Sequence, residues 1–454
     1  MNILIVGNGF DLSHWLPTKY DHLMDVMSAI EKSKSDLMSF DELFSECRED
    51  RFIGKTKEYY LTDNIVIESE QLSHIRILLK ENCWYQYFKN HVQEIRTWID
   101  FEQKIESVLK LATKKVIEIE SLENNEAIHI YLNGNNTSKA LINAKDLKKL
   151  NFFEFSCKEN MSIVRSRHLI SGKPLQTSTD VFLNINKKFC YGGEVENGFD
   201  PSTFLDFLNN QLESFIVIFD LYLDLIIFQL APAGTFDIKS KDWIEPDKIF
   251  SFNYTNTYQR IYDSIIVDYL HGSHGEFQNI VLGVSDLEDD NLKKLKAFGF
   301  TKYHQKLFKD TDYLFLDEFK NKIFNQREKI LDATNRKKGE IRNAHLKIIE
   351  TEILGLNKNN NLDLNFYIWG HSLDVSDKDY IIDLFSLNDD MDRNVRVTVY
   401  YFDKNAKFAL LNNLLAILGK NKVEQWMKNK WLVFEPNPEV QFISQGNSGV
   451  NQAS

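Results

Sequence analysis

The hydrophobic positions of this chain fall into two unlike patterns. Short apolar runs stand at Asn2–Val6, Lys248–Phe252, Val267–Leu270, Asn279–Leu282, Asn365–Trp369 and Arg396–Phe402, with a seventh at Trp431–Phe434. Most are unbroken rather than alternating, which suits strands covered on both faces, as in a parallel sheet. Elsewhere the period lengthens. Trp98–Val116 sets Ile105, Val108, Leu109 and Ala112 at helical spacing, and Leu314–Leu356 is a long charged stretch without proline. The most membrane-like stretch, Phe215–Pro232, is interrupted by Asp220 and Asp224. With Asp206, Asn210 and Glu213 these acids trace one polar stripe, so the pattern predicts an amphipathic helix and no membrane span. Asp200-Pro201 supplies its cap and a proline at the first helical position.

The strands thus divide into one at the N-terminus and a group after residue 245. This predicts an α/β fold with a Rossmann-like, mostly parallel sheet assembled from both ends of the chain. Residues 1–25 with 245–440 would form the core, and 26–244 a mainly helical insertion. A smaller helical insertion would span 286–360, and 441–454 would be a disordered tail. Ser121–Phe199 is less regular, with turn signals at Asn133–Thr137 and Tyr191–Gly193, and suits edge strands or loops.

Composition changes this picture little. With 19 Gly and 7 Pro in 454 residues, long regular elements are favoured. The net charge of −12 argues against broad nucleic-acid binding, which needs Lys and Arg to neutralise phosphates. Cys47, Cys83, Cys157 and Cys190 are scattered, without a zinc pair or disulfide framework, as in a reducing cytoplasm. The first apolar run is too short and lacks the basic leader of a signal peptide, so a cytoplasmic protein is expected.

The candidate chemistry lies where strands end. Asn2–Val6 runs into Gly7-Asn8-Gly9-Phe10-Asp11, and Leu16-Pro17-Thr18-Lys19-Tyr20 follows. Such a turn lets a ligand approach the backbone, and a following helix can offer N–H groups to a phosphate. The dinucleotide fingerprint would want a third glycine where Leu12 stands, so a plain strand-to-helix turn is the competing reading. The second strand ends in Ser251-Phe252-Asn253-Tyr254-Thr255. Asn253 and Thr255 either face a pocket or cap a helix over Asn256–Ile266. The third ends in His271-Gly272, where the imidazole suits general-base work, though a lone histidine is more often structural. The fifth ends in Gly370-His371-Ser372-Leu373-Asp374, which is not a nucleophile elbow, and Ser376-Asp377 reads as a helix cap. Trp98-Ile99-Asp100-Phe101-Glu102 reads mainly as a helix start, with Glu102 a candidate for the mouth of a pocket. In a parallel sheet these strand ends share one edge and converge on one crevice.

In this order the motifs NGFDLSHWLPTKY, WIDFE, FSFNYTNTY, YLHGS and WGHSLDVSDK resemble the bacteriophage abortive infection AbiH family, from residue 8 to residue 378. The resemblance implies defence against phage by shutting down the infected cell. More distantly the set is similar to sirtuin-type NAD-binding domains, which carry G-A-G-x-S, G-I-P-D-F-R, Q-N-I-D, a catalytic His-Gly and a late G-x-S. That likeness implies a sirtuin-like fold and NAD as substrate or ligand, with no metal expected. It puts Asn253 and His271 in catalytic positions. It puts Gly7, Asn8, Gly9, Phe10, Asp11, Pro17, Thr18, Tyr20, Ser251, Thr255, Gly272, Gly370, His371, Ser372 and Asp374 around the cofactor. Asn8, Asp11, Tyr20 and Thr255 replace the Ala, Ser, Arg and Asp of that pattern, and the zinc cysteine pairs are missing. This disfavours a deacetylase and fits an enzyme that hydrolyses NAD at the nicotinamide–ribose bond. Asn253 would orient water or the 2′-hydroxyl, and His271 would be the base. A nucleotide sensor without catalysis is the second expectation, a nuclease-type toxin the weakest. The expected partners are the nucleotide, a phage or host trigger protein, and a second copy of the chain, with neither membrane nor nucleic acid.

Overall fold

The computed structural model describes residues 1–89, 91, 98–122, 147–159, 179–240, 243, 245–275, 278–311 and 314–444. Its centre is a six-stranded sheet of β1 (Asn2–Val6), β2 (Lys248–Ser251), β3 (Val267–Tyr269), β4 (Leu364–Trp369), β5 (Val395–Tyr401) and β6 (Leu432–Pro436). The spatial order is β3-β2-β1-β4-β5-β6, and every neighbouring pair is parallel. This is the doubly wound order of dinucleotide-binding folds, with its reversal of direction between β1 and β4.

Each strand falls within two residues of its predicted place; in the central β1 and β2 burial on both faces demands an unbroken apolar run, while the edge strands β3 and β6 are only partly buried. Along β1, Ile3 and Ile5 pack into one apolar cluster and Leu4 and Val6 into another. The first is closed by the helices Lys378–Ser386 and Lys404–Lys428 through Leu384, Phe385, Leu414 and Trp426. Asn279–Leu282 is not a strand. Ile280, Val281 and Leu282 are fully buried, but a side chain replaces the neighbouring strand. Gln305 accepts from the Leu282 N–H at 3.0 Å and donates to its carbonyl at 2.9 Å.

The segment between β1 and β2 is largely helical and carries its own apolar core. The helix Tyr20–Lys32 runs unbroken through residue 25. Helix Pro201–Tyr222 starts as predicted, with Asp200 accepting from the N–H groups of Ser202 and Thr203, and continues as a π-turn over Leu223–Ile227. Its polar stripe finds partners: Glu213 pairs with Lys309 at 2.8 Å, and Asp220 with His274 at 2.6 Å. Phe153–Glu159 pairs with Thr179–Ile185 as an antiparallel ribbon, while the Asn133–Thr137 turn signal lies outside the described residues. Leu314–Leu356 resolves into a hairpin of helices Asp317–Gly339 and Asn343–Lys358. Residues 441–444 of the expected disordered tail are in a strand: Glu439–Ser444 pairs with Gly234–Lys239, covering Phe442 with Phe236, and 445–454 lie outside the described residues. Among the described residues no helix is long and apolar enough to cross a membrane.

Candidate active site at the switch point

Beyond the carboxyl ends of β1, β2 and β4 lies a cavity of about 270 Å³. Its walls bring together Gly7, Asn8, Asp11, Thr18, Tyr20, Asn253, Thr255, His271, Gly370, His371 and Ser372, drawn from distant parts of the sequence. Phe10, Gly9, Pro17, Ser251, Gly272 and Asp374 stand behind this lining. The insertion supplies a further wall through Trp98, Glu102, Phe219 and Leu223.

At one end the two switch-point loops lie against each other. Gly7 and Gly9 donate their N–H groups to the carbonyls of Trp369 and Gly370, at 3.1 and 2.8 Å. A Cβ on Gly7 would come 2.5 Å from the His371 Cα, and Gly370 holds a left-handed φ of 73° against the Phe10 backbone. The glycines are therefore accounted for by loop-to-loop packing, and these two N–H groups are not free for a phosphate. Asn253 settles its own ambiguity in the same way. Its Nδ2 donates to the Gly7 carbonyl at 2.9 Å, and the following helix, shortened to Thr257–Ile261, has Asn256 at its start with no side-chain cap. Ser251 Oγ lies 3.0 Å from both the N–H and the carbonyl oxygen of Asn253, fixing the bend after β2. Thr255 donates to Asp11 Oδ2 at 2.6 Å. Burial raises the Asp11 pKa to about 6 against the hydroxyls of Thr255 and Thr257 and the Asn253 amide, which hold it down. Thr18 donates to Asn8 Oδ1 at 2.7 Å and ties the Leu16-Pro17-Thr18 segment to the turn. Pro17 is anchored through its carbonyl by the Tyr222 hydroxyl.

At the other end five ionisable side chains converge in near-complete burial. Asp377 Oδ1 lies 3.1 Å from Lys302 Nζ and 3.1 Å from His271 Nε2, the latter out of hydrogen-bonding line. His371 Nδ1 accepts from the Leu373 N–H at 3.0 Å, which leaves Nε2 as the donor nitrogen, 3.3 Å from Asp377 Oδ2. Lys302 also pairs with Glu102 Oε1 at 2.8 Å. Burial would raise Asp377, but the Lys302 cation and the two imidazoles outweigh it and hold its carboxyl well below the usual range. Burial would likewise discharge Lys302, but Asp377 and Glu102 raise it instead. Glu102 is raised to about 7, because burial and the Asp377 charge outweigh Lys302. His271 is lowered to about 3 by burial and by Lys302. Both effects favour the neutral ring at physiological pH.

Lys302 stands among other lysines and carries no mark in the sequence, while Asp377, inside the WGHSLDVSDK motif, reads only as a cap. In the fold Asp374, not Asp377, makes the local turn bond, accepting from the Ser376 N–H at 3.0 Å. The helix-start reading of Trp98 also needs enlarging. Its Nε1 donates to the Thr18 carbonyl at 3.1 Å, and its ring packs between Tyr20 and Phe219. Among the described residues no group of His, Cys, Asp and Glu is arranged to hold a metal ion.

The fold and site define an α/β protein with a buried acid–base cluster at the switch point of a parallel sheet. The family model described as bacteriophage abortive infection AbiH matches residues 3–401, and the chain belongs to that family. Its role is accordingly the family's, in abortive infection of phage-infected cells. No curated protein and no solved structure matches the chain.

Proposed function

We propose that the protein is the effector of its abortive-infection response, binding NAD in this cavity and hydrolysing the nicotinamide–ribose bond. The observation that carries the reading is position. The cavity lies where β1 and β4 part in a 3-2-1-4-5-6 sheet, the place at which such sheets take dinucleotides. The enclosed volume is below the ~300–1,000 Å³ of typical ligand pockets, so it would take the reacting nicotinamide–ribose end and leave the rest of the dinucleotide towards the opening.

The chemistry asks little of an acid. Nicotinamide leaves as a neutral molecule, its ring nitrogen taking the bonding electrons, and an oxocarbenium-like ribosyl centre develops as in glycoside hydrolysis. The aromatic side chains Tyr20, Trp98 and Phe219 of this wall would pack against the cationic nicotinamide ring. Neutral His271 and the side chain of Asn253 would hold the ribose hydroxyls and the water. Asp11 and Thr255 are the two departures from the sirtuin-type pattern that meet in the fold. Here they put one acid and one hydroxyl in contact.

A sensor that binds the nucleotide without cleaving it is the second reading. It is favoured by the engagement of the Gly7 and Gly9 N–H groups with the facing loop. The deciding experiment measures NAD, nicotinamide and ADP-ribose in cells carrying wild type or His271→Ala, with and without phage. NAD loss that requires His271 supports the effector. Phage resistance at constant NAD, with a melting temperature raised by NAD, selects the sensor.

A further inference from the structure

We infer that Glu102, carried into the core's pocket by the insertion helix Trp98–Glu120, is the general base that takes the proton from the attacking water. The inference rests on the NAD reading and deepens it.

Two buried carboxylates meet at Lys302, and they differ in one respect. Both oxygens of Asp377 have neighbours, Lys302 and His271 at Oδ1 and His371 at Oδ2. Glu102 has Lys302 on Oε1, whereas Oε2 is buried without a hydrogen-bond partner, with the Ser376 hydroxyl close by. An orphaned buried acceptor costs ~1–3 kcal/mol, and of the two carboxylates at Lys302 Glu102 alone carries one. A water or ribose hydroxyl in the cavity would satisfy it. Asp377 and Lys302 are then positioning residues: His371 and Lys302 hold Asp377, and Lys302 in turn holds Glu102.

The proton balance follows. Water oxygen bonds to the anomeric carbon as the carbon–nitrogen bond breaks, and its electron pair leaves with nicotinamide. One water proton passes to Glu102 Oε2, giving ADP-ribose and a carboxylic acid that returns its proton to solvent. The groups facing Glu102 are Lys302, Asp377, Tyr254 and Ser376, with His271, His371 and Lys306 around Asp377. Among them His271, at about 3, is too weak a base, and Lys306, lowered to about 8 mainly by burial, contacts Tyr380 instead.

The test uses the full-length protein with NAD as probe. Nicotinamide release and the NAD-induced shift in melting temperature are measured for wild type, Glu102→Gln and Glu102→Asp. Glu102→Gln should keep the shift and lose roughly 10²–10⁴-fold in kcat. Glu102→Asp should recover part of that loss. In wild type kcat should fall with a single proton below about pH 7. A folded Glu102→Gln with wild-type turnover overturns the assignment and leaves the NAD reading standing. A wild-type kcat that is flat over roughly pH 5 to 9 overturns it too, without any variant having to fold. A wild type that neither binds nor cleaves NAD removes the NAD reading, and the assignment falls with it.

Discussion

The two ends of the pocket are built on opposite plans. Around the glycine turn, backbone and uncharged side chains bond across loops, with Asp11 the one acid: Gly7 with Trp369, Asn253 with Gly7, Thr255 with Asp11. Around Asp377, side chains that prefer water are enclosed together and balanced by charge. The first arrangement fixes shape. The second fixes protonation states, and moves Glu102 to about 7 and His271 to about 3 from ordinary starting values. A scaffold and a reactive centre thus share one cavity, and substitutions at the two ends should fail in different ways.

The largest effect is expected at the charged end. Lys302→Met would leave Asp377 and Glu102 enclosed without the cation that both contact. Breaking a buried ion pair in this way costs ~3–5 kcal/mol. The pH dependence has a definite sign. Without Lys302 both carboxyls acquire higher folded pKa values, so the loss is fullest at alkaline pH and shrinks as they take up protons. Urea unfolding of both proteins at pH 8 and pH 5 reads it directly, and an equal loss at both would refute the charge balance.

At the glycine end the largest effect should ignore pH. Gly370→Ala places a side chain in a left-handed conformation and into the Phe10 backbone. Strain of this kind costs ~1–3 kcal/mol before any overlap is counted. The same unfolding series should show a loss that is constant from pH 5 to pH 8.

The smallest effect sharpens the comparison, because it tests the one acid at the glycine end. Thr255→Val removes the hydroxyl that donates to Asp11. The loss should be ~1–2 kcal/mol at pH 8. Asp11 already has a raised folded pKa of about 6, so its ionisation weakens the fold as pH rises through that value. Losing Thr255 raises it further, and the penalty should fade below pH 6. A penalty that grew towards acid would mean that Thr255 serves the protonated form.

Some of this was legible before any fold was known. The strand ends Gly7, Asn253, His271 and Gly370 stood out because each polar residue follows an apolar run, and a parallel sheet sends such ends to one edge. The roles were harder to read. Asn253 and Thr255 had two readings each, and contacts more than 240 residues away along the chain decided between them. Lys302 has lysines around it at 293, 294, 296 and 306, and nothing local sets it apart. Asn279–Leu282 has the burial of a strand without the pairing, because Gln305 sits where a strand would.

By itself the sequence determined the sheet strands, the long helices, the cap at Asp200 and the family. Apolar periodicity and turn chemistry are local properties that neighbouring residues decide. Only the tertiary structure decided which oxygen atoms are left without partners and which histidine stays neutral. A pKa and an unsatisfied acceptor depend on burial and on charges brought within about 4 Å, and such neighbours come from anywhere in the chain.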